Sequence, residues 1–242
     1  MNVIITMAGL GTRFRSAGYS TPKYQVTVGG RTLFSWSLES LRNFLCLDHH
    51  WVFVARQADN ATDFIRSELK RLVGFRLSAS IIELEDMTDG QATTVLRAEP
   101  ALLDTRRPIL VYNIDTFVNP ECLKPEAIRG DGWIPCFPGA GDAWSFVLVD
   151  NRGRATEVQE KVRISDHASI GLYWFSSYEL YRHAYVGYYS DPAHLERGER
   201  YVAPLYNQLI REGVEVYIHE IPVEAVFPLG TPADVASFIS KA

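Results

Sequence analysis

Short, uninterrupted apolar runs alternate with amphipathic stretches through the first 115 residues. NVIITM (2–7), HWVFVA (50–55), SASIIEL (78–84) and PILVYNID (108–115) are the apolar runs. Continuous apolar character without polar alternation predicts strands buried on both faces, as in a parallel sheet. Between the first two, RTLFSWSLESLRNFL places apolar residues at Leu33, Phe34, Trp36, Leu38, Leu41, Phe44 and Leu45, a helical spacing. ATDFIRSELKRLV reads as an amphipathic helix, and GQATTVLRAEPAL as another that ends near Pro100. The resulting βαβαβαβ order predicts a parallel sheet with right-handed crossovers.

The rhythm then changes. WIPCFP, WSFVLVD, ATEVQEK and ASIGLYWF predict shorter strands joined by turns such as DNRGR. Two helices, SSYELYRHAYV and YVAPLYNQLIREG, follow, then a strand VEVYIHEI and a closing helix TPADVASFISKA. No internal repeat or low-complexity linker breaks the chain, so residues 1–242 are expected to form one mixed α/β domain.

Composition narrows the function classes. The chain has 242 residues, 47% hydrophobic and 22% charged, ordinary for a globular protein with a sizeable core. A formal net charge of −5 gives no bulk attraction to nucleic acid or to an anionic membrane, so any anion must be held by a local site. Cys46, Cys122 and Cys136 are odd in number and far apart, which argues against a disulfide framework or a zinc site and fits a reducing cytoplasm. MNVIITMAG lacks a basic leader, and no apolar run approaches the roughly 18 residues of a membrane span. The six histidines have no ligand spacing.

The most informative stretch is MAGLGTRFRSAGYSTPKYQVTVGG, residues 7–30. A loop leaving the C-terminal end of a parallel strand is the usual ligand position in an open α/β sheet. Glycines there let backbone N–H groups approach an anion. A dinucleotide loop would need a third glycine, where Phe14 stands, and an acid about 20 residues on, where VGGRTLF has none. The P-loop pattern is absent too. What remains is Gly9-x-Gly11-Thr12-Arg13, then nine residues, then Lys23. Arg13 offers a fork for phosphate oxygens and Lys23 a compact charge. Two cations around such a loop fit a triphosphate being cleaved, where charge builds on the attacked phosphorus and on the departing pyrophosphate.

These residues resemble the opening of the sugar-1-phosphate nucleotidylyltransferases, whose signature is roughly G-x-G-[TS]-R followed ten residues later by P-K. Later segments agree in order: DGQATTVL (89–96), YNIDTF (112–117), VQEKVRISDHASIGLYWF (158–175) and GTPADV (230–235). The fold class this implies is α/β: a mostly parallel, Rossmann-like nucleotidyltransferase sheet flanked by helices, with an added acceptor-binding β/α section. Residues 1–117 would form the nucleotide-binding half and 118–242 the acceptor-binding half.

The resemblance implies roles for individual residues. Ala8, Gly9, Leu10 and Gly11 would hold ribose and phosphate through backbone groups, with Thr12 and Arg13 on the β and γ phosphates. Lys23 would sit between the α phosphate and the acceptor phosphate. Gly90 and Gln91 would contact the base, and Glu160 and Lys161 the acceptor's hydroxyls and phosphate. Asp115 would hold Mg²⁺, which prefers one or two carboxylates plus phosphate oxygens. Each has a plainer alternative: loop charges for Arg13 and Lys23, a cap for Asp115, a turn for Gly90–Gln91, an edge-strand ion pair for Glu160–Lys161. The tyrosine-rich run 172–189 reads as core packing, with a sugar-stacking wall or a homo-oligomer interface as the alternative.

One departure matters. Many family members carry an aspartate two residues before the terminal GTP, where this chain has Pro228, and Asp89, Glu220 and Glu224 are not ranked as its replacement. The expected reaction is transfer of NMP from an NTP to a phosphorylated small molecule, a sugar 1-phosphate in the first reading, with pyrophosphate released. A cytidylyltransferase acting on a non-sugar phosphate is the alternative. A glycosyltransferase would want D-x-D, which NIDTF lacks, and a non-catalytic nucleotide-binding module is the remaining alternative. The expected partners are an NTP and the acceptor, with neither nucleic acid nor membrane.

Overall fold

The computed structural model describes residues 1–45, 48–73 and 77–240; Cys46 lies outside them. The chain opens with β1 (Asn2–Thr6), the glycine loop and a short helix α1 (Thr12–Ser16). A small hairpin, β2 (Thr27–Val28) and β3 (Arg31–Thr32), leads to α2 (Leu33–Glu39) and α3 (Arg42–Leu45). Then come β4 (His50–Arg56), α4 (Thr62–Val73), β5 (Ser78–Leu84), α5 (Gln91–Leu96), β6 (Ile109–Asn113) and β7 (Thr116–Val118). The second half holds β8 (Gly132–Pro138), β9 (Ser145–Val149), β10 (Ala155–Glu160), β11 (His167–Ser169) and β12 (Leu172–Phe175). It finishes with α6 (Tyr178–Tyr188), α7 (Tyr206–Arg211), β13 (Val216–Glu220), β14 (Val226–Pro228) and α8 (Pro232–Ile239).

The main sheet runs β10-β9-β11-β8-β12-β6-β1-β4-β5, with β13 added against β8. The β6-β1-β4-β5 edge is parallel throughout, as the apolar runs predict. Alternate residues of each run serve opposite faces. Val3, Ile5, Trp51, Phe53, Leu110 and Tyr112 join one core cluster, while Ile4, Val52, Val54, Ile109 and Val111 join the other. Both faces of β1, β4 and β6 are therefore covered, which is why these strands show no polar alternation, whereas β5, at the sheet edge, has no buried residue, contrary to the expectation for SASIIEL.

Three sequence expectations are refined. The single helix expected over 31–45 is broken, because the Ser40 hydroxyl accepts the Val118 N–H at 2.9 Å and ties the chain to β7. The strand expected to reach Asp115 stops at Asn113, in register with Thr6. ASIGLYWF divides into β11 and β12 around Gly171. A Cβ on Gly171 would lie 2.5 Å from the Asn113 amide nitrogen, so only glycine lets the chain cross there.

A third apolar cluster explains Phe14. It is 1% exposed and packs with Val26, Val28, Leu33, Leu229, Val235 and Phe238. The residue that breaks the dinucleotide pattern anchors the glycine-loop helix in a cluster shared with the C-terminal helix. Near the carbonyl ends of the parallel strands, β14 pairs with β7, and the Leu229 N–H donates to the Asp115 carbonyl at 2.8 Å.

Candidate active site

A cleft of about 650 Å³ opens at the C-terminal ends of β1 and β6. Such a position at the carboxyl ends of parallel strands is where open α/β sheets bind ligands. The sequence-named residues Ala8, Gly9, Leu10, Gly11, Thr12, Arg13, Lys23, Gly90, Gln91, Asp115 and Glu160 all line it. Lys161 does not line it.

The glycine loop enters α1 through Gly11, whose φ of 62° is a left-handed conformation that suits glycine. A Cβ on Gly9 would meet nothing within 4 Å, so that glycine leaves open cleft rather than relieving an internal clash. Lys23 starts a 3-10 turn held from beneath by Tyr24, which is 1% exposed and whose hydroxyl donates to Asp59 at 3.3 Å. Burial, reinforced by the Asp59 carboxylate, raises the Tyr24 pKa. Tyr24 thus belongs to the floor under Lys23 and not to a substrate pocket.

The Lys23 ammonium lies 3.0 Å from Asp115 Oδ2, with the two side chains 19% and 32% exposed. Lys23 and Asp115 thus face each other across the cleft, while Arg13 is exposed on its wall. Gly230 closes the corner: a Cβ there would sit 3.8 Å from Asp115 Oδ2 and 3.9 Å from Asp234 Oδ2. Asp234 also caps α8 with Thr231, which donates to Asp234 Oδ2 at 2.7 Å. Pro228 pairs with Thr116 beside this corner. The three unranked acids do not fill its role: Asp89 is tied to Arg200, Glu220 approaches His167, and Glu224 is exposed outside the cleft.

Among the described residues no three His, Cys, Asp or Glu side chains converge as a metal cage. A hard cation that takes one or two carboxylates and completes its shell with phosphate and water needs no such cage. Asp115, with Asp234 across Gly230, fits that donor chemistry.

Beside the glycine loop, the Gln91 amide nitrogen donates to Thr6 Oγ1 at 3.1 Å and to Asn113 Oδ1, bridging the ends of β1 and β6. Glu160, also on the cleft wall, is 9% exposed. Burial pushes its carboxyl up, against the pull of the Ser145 hydroxyl and Lys161. Ser145 faces Glu160 in the β9–β10 register and donates to it. The Lys161 ammonium lies 3.7 Å from Glu160 Oε1, the ion pair of the plainer alternative, and donates to the Tyr201 hydroxyl, 4.1 Å from that ring's centroid.

The crystal structure of the nucleoside-diphosphate-sugar pyrophosphorylase from Vibrio cholerae RC9 matches this chain with a TM-score of 0.90 at 35% identity, covering 99% of this chain and 100% of that one. The chain belongs to the sugar-phosphate nucleotidylyltransferase family. It is a nucleotidyltransferase, moving a nucleoside monophosphate onto a phosphorylated acceptor. The inositol-1-phosphate CTP transferase of T. maritima shares the nucleotidylyltransferase fold, with a TM-score of 0.76 at 17% identity over 99% of this chain and 95% of that one. No protein-family model and no curated protein sequence matches the chain.

Sequence reasoning did not single out Trp144, Ser145, Glu199, Tyr201 and Asp234, all on the cleft wall, while Tyr173 there belongs to the run offered as an alternative stacking wall. Asp234 was in view within GTPADV, but only the fold brings it to Asp115. None of the six histidines lines the cleft, and no described helix is long and apolar enough to cross a membrane.

Proposed function

We propose that the cleft transfers NMP from an NTP to a sugar 1-phosphate with release of pyrophosphate. The observation that carries this reading is the Lys23–Asp115 pair facing the glycine loop. An acceptor phosphate oxygen attacks the α phosphorus, the bond to the bridging oxygen breaks, and pyrophosphate leaves. The acceptor's second pKa lies near ~6, so it is already mostly a dianion at neutral pH and needs no general base. This agrees with a cleft that no histidine lines.

The chain's task is alignment and charge screening. Backbone groups of Ala8–Gly11 hold the ribose and phosphates, and Thr12 and Arg13 take the β and γ phosphates. Lys23 leaves Asp115 to stand between the two reacting phosphates. Asp115, with Asp234 beside it, would hold Mg²⁺, which when bound neutralises phosphate charge. Gly90 and Gln91 contact the base. Glu160, oriented by Ser145, accepts from acceptor hydroxyls.

The name of the V. cholerae relative supports a sugar phosphate acceptor. Pro228 in place of the family carboxylate supports a second reading, a cytidylyltransferase for a non-sugar phosphate; the T. maritima protein of this fold is a CTP transferase. The test is a matrix of CTP, UTP, dTTP, ATP and GTP against sugar 1-phosphates, inositol 1-phosphate and phosphorylated amino alcohols, read as pyrophosphate. Release with a sugar 1-phosphate supports the first reading. Release only with CTP and a non-sugar phosphate supports the second, and none with any pair removes both.

A further inference from the structure

The segment Glu199–Tyr201 touches both ends of the cleft. At the base end, Arg200 N donates to the Asp89 carbonyl at 2.7 Å, and its own carbonyl accepts from Ala92 N at 3.0 Å. The Arg200 guanidinium pairs with the Asp89 carboxylate. Gly90 lies against this backbone with no slack. Its φ is 137°, and a Cβ there would fall 2.3 Å from the Arg200 carbonyl oxygen and 2.5 Å from its nitrogen. At the acceptor end, the next residue, Tyr201, accepts a hydrogen bond from Lys161 and donates one to Glu199. The Tyr201 backbone is itself pinned, its N–H and C=O both bonded to the Tyr189 hydroxyl at 2.7 and 2.8 Å.

Lys161 is held in an uncommon conformation. Its φ is 56°, a left-handed value for a non-glycine residue, kept in place by its N–H on the Trp144 carbonyl at 2.9 Å. Its ammonium rests on Tyr201 instead of lining the cleft. The neighbouring Glu160 does line the cleft.

We propose that Glu199–Tyr201 is a coupling strap, and that Tyr201 is a positioning residue that sets where the Lys161 ammonium lies according to what occupies the Gly90–Gln91 loop. The inference rests on the nucleotide-site reading above. Both hydrogens of the Gln91 amide nitrogen are spent on Thr6 and Asn113, so a base that accepts from that nitrogen draws it from them. Movement of Gln91 reaches Gly90, and the packing of Gly90 on Arg200 passes it to Tyr201 without a compliant element between. Coupling of this kind is reciprocal: acceptor binding at Lys161 changes nucleotide affinity by the same factor that nucleotide changes acceptor affinity.

The test is lysine acetylation by acetic anhydride on the intact folded protein, read peptide by peptide by mass spectrometry. It is run without nucleotide and with each of CTP, UTP, dTTP, ATP and GTP plus Mg²⁺. Lys124, on the far surface and 55% exposed, reports reagent dose. Lys23 reports nucleotide occupancy. The expected result is protection of Lys23 together with a change of about fivefold or more in Lys161 reactivity, within the usual range of site–site coupling. Tyr201→Phe keeps the ring and the fold, raises Lys161 reactivity in the free protein and abolishes its response to nucleotide. Asp89→Asn, which spares the backbone bonds, weakens the response. Lys23 protected with Lys161 unmoved overturns the coupling and leaves the nucleotide site standing. A Lys161 response that persists in Tyr201→Phe overturns the strap as its route. Neither lysine responding to any NTP removes the nucleotide reading and the strap with it.

Discussion

Lys23 and Asp115 form an ion pair at 3.0 Å, although each is the kind of group that phosphates or a metal ion would claim. The pair neutralises two half-buried charges, and on the reading proposed above an anionic substrate and a cation would separate them. Lys23→Ala is expected to lower kcat by about 10²–10³-fold, the usual loss when one preorganised donor to transition-state charge is removed. Lys23→Arg recovers little, because a fork cannot reproduce a point charge between two phosphates. Steady-state kinetics with the preferred substrates decides it; wild-type turnover in Lys23→Ala would remove the assigned role.

Asp115→Asn is expected to raise the Mg²⁺ concentration giving half-maximal rate by about 10–100-fold, the loss typical of a disturbed ligand set. Asp234→Asn should give a smaller rise, since Asp234 already accepts from Thr231. A Mg²⁺ titration of both variants is the measurement. Wild-type metal dependence in Asp115→Asn would place the cation elsewhere.

Gly9 and Gly90 should fail in opposite ways. Gly9→Ala adds a methyl to open cleft, so the melting temperature holds while NTP binding weakens. Gly90→Ala puts a Cβ against the Arg200 backbone at a φ of 137°. Backbone strain of this kind costs about 1–3 kcal/mol, a fall in Tm of at least about 2–4 °C for a chain of this size. Paired calorimetry and NTP titration separate the two, and equal Tm losses would contradict the assignment of Gly9 as ligand space.

Glu160 and Glu68 should give pH dependences of opposite sign. Burial raises the Glu160 carboxyl, so its stabilising contribution is complete below its unfolded pKa and is lost as pH rises through the folded one. Glu160→Gln is therefore expected to melt higher than wild type at pH 7, with the advantage shrinking toward pH 4, while acceptor KM rises. Burial also pulls the Glu68 carboxyl up, but hydrogen bonds from Thr32, Ser35 and Arg71 outweigh it and leave the group lowered. Its contribution is present above the unfolded pKa and is lost as pH falls through the folded one. Glu68→Gln should cost about 1–3 kcal/mol at pH 7, and less in acid. Melting curves from pH 4 to 8 test both signs.

The parallel edge and the glycine loop were legible because their signals are local: apolar runs, a G-x-G, two spaced cations. The partners of Glu160 on the opposite wall were not, and the β9–β10 hairpin shows why. A bulge at Thr156 shifts the register between Ala155 and Glu157. Counting outward from the Val149–Ala155 pair without it would set Glu160 opposite Trp144, when the true partner is Ser145. Tyr201 was illegible for another reason. The role proposed for it runs through its neighbour Arg200, which contacts Asp89 111 positions earlier, and no spacing rule carries such a contact. Phe14 read correctly as a break in one motif, but its partners Leu229, Val235 and Phe238 lie at the other end of the chain.

The docking of β14 beside Asp115 gives biosynthesis an order. A ribosome delivers the glycine loop, Lys23 and Asp115 first, yet the corner that Gly230 and Asp234 complete waits until β14 and the residues after it have emerged. A nascent chain stopped before residue 226 would hold a phosphate loop with the Phe14 side chain uncovered on one side. Loss of β14 and the segment that follows it therefore leaves this corner of the cleft unformed, rather than merely trimming the fold.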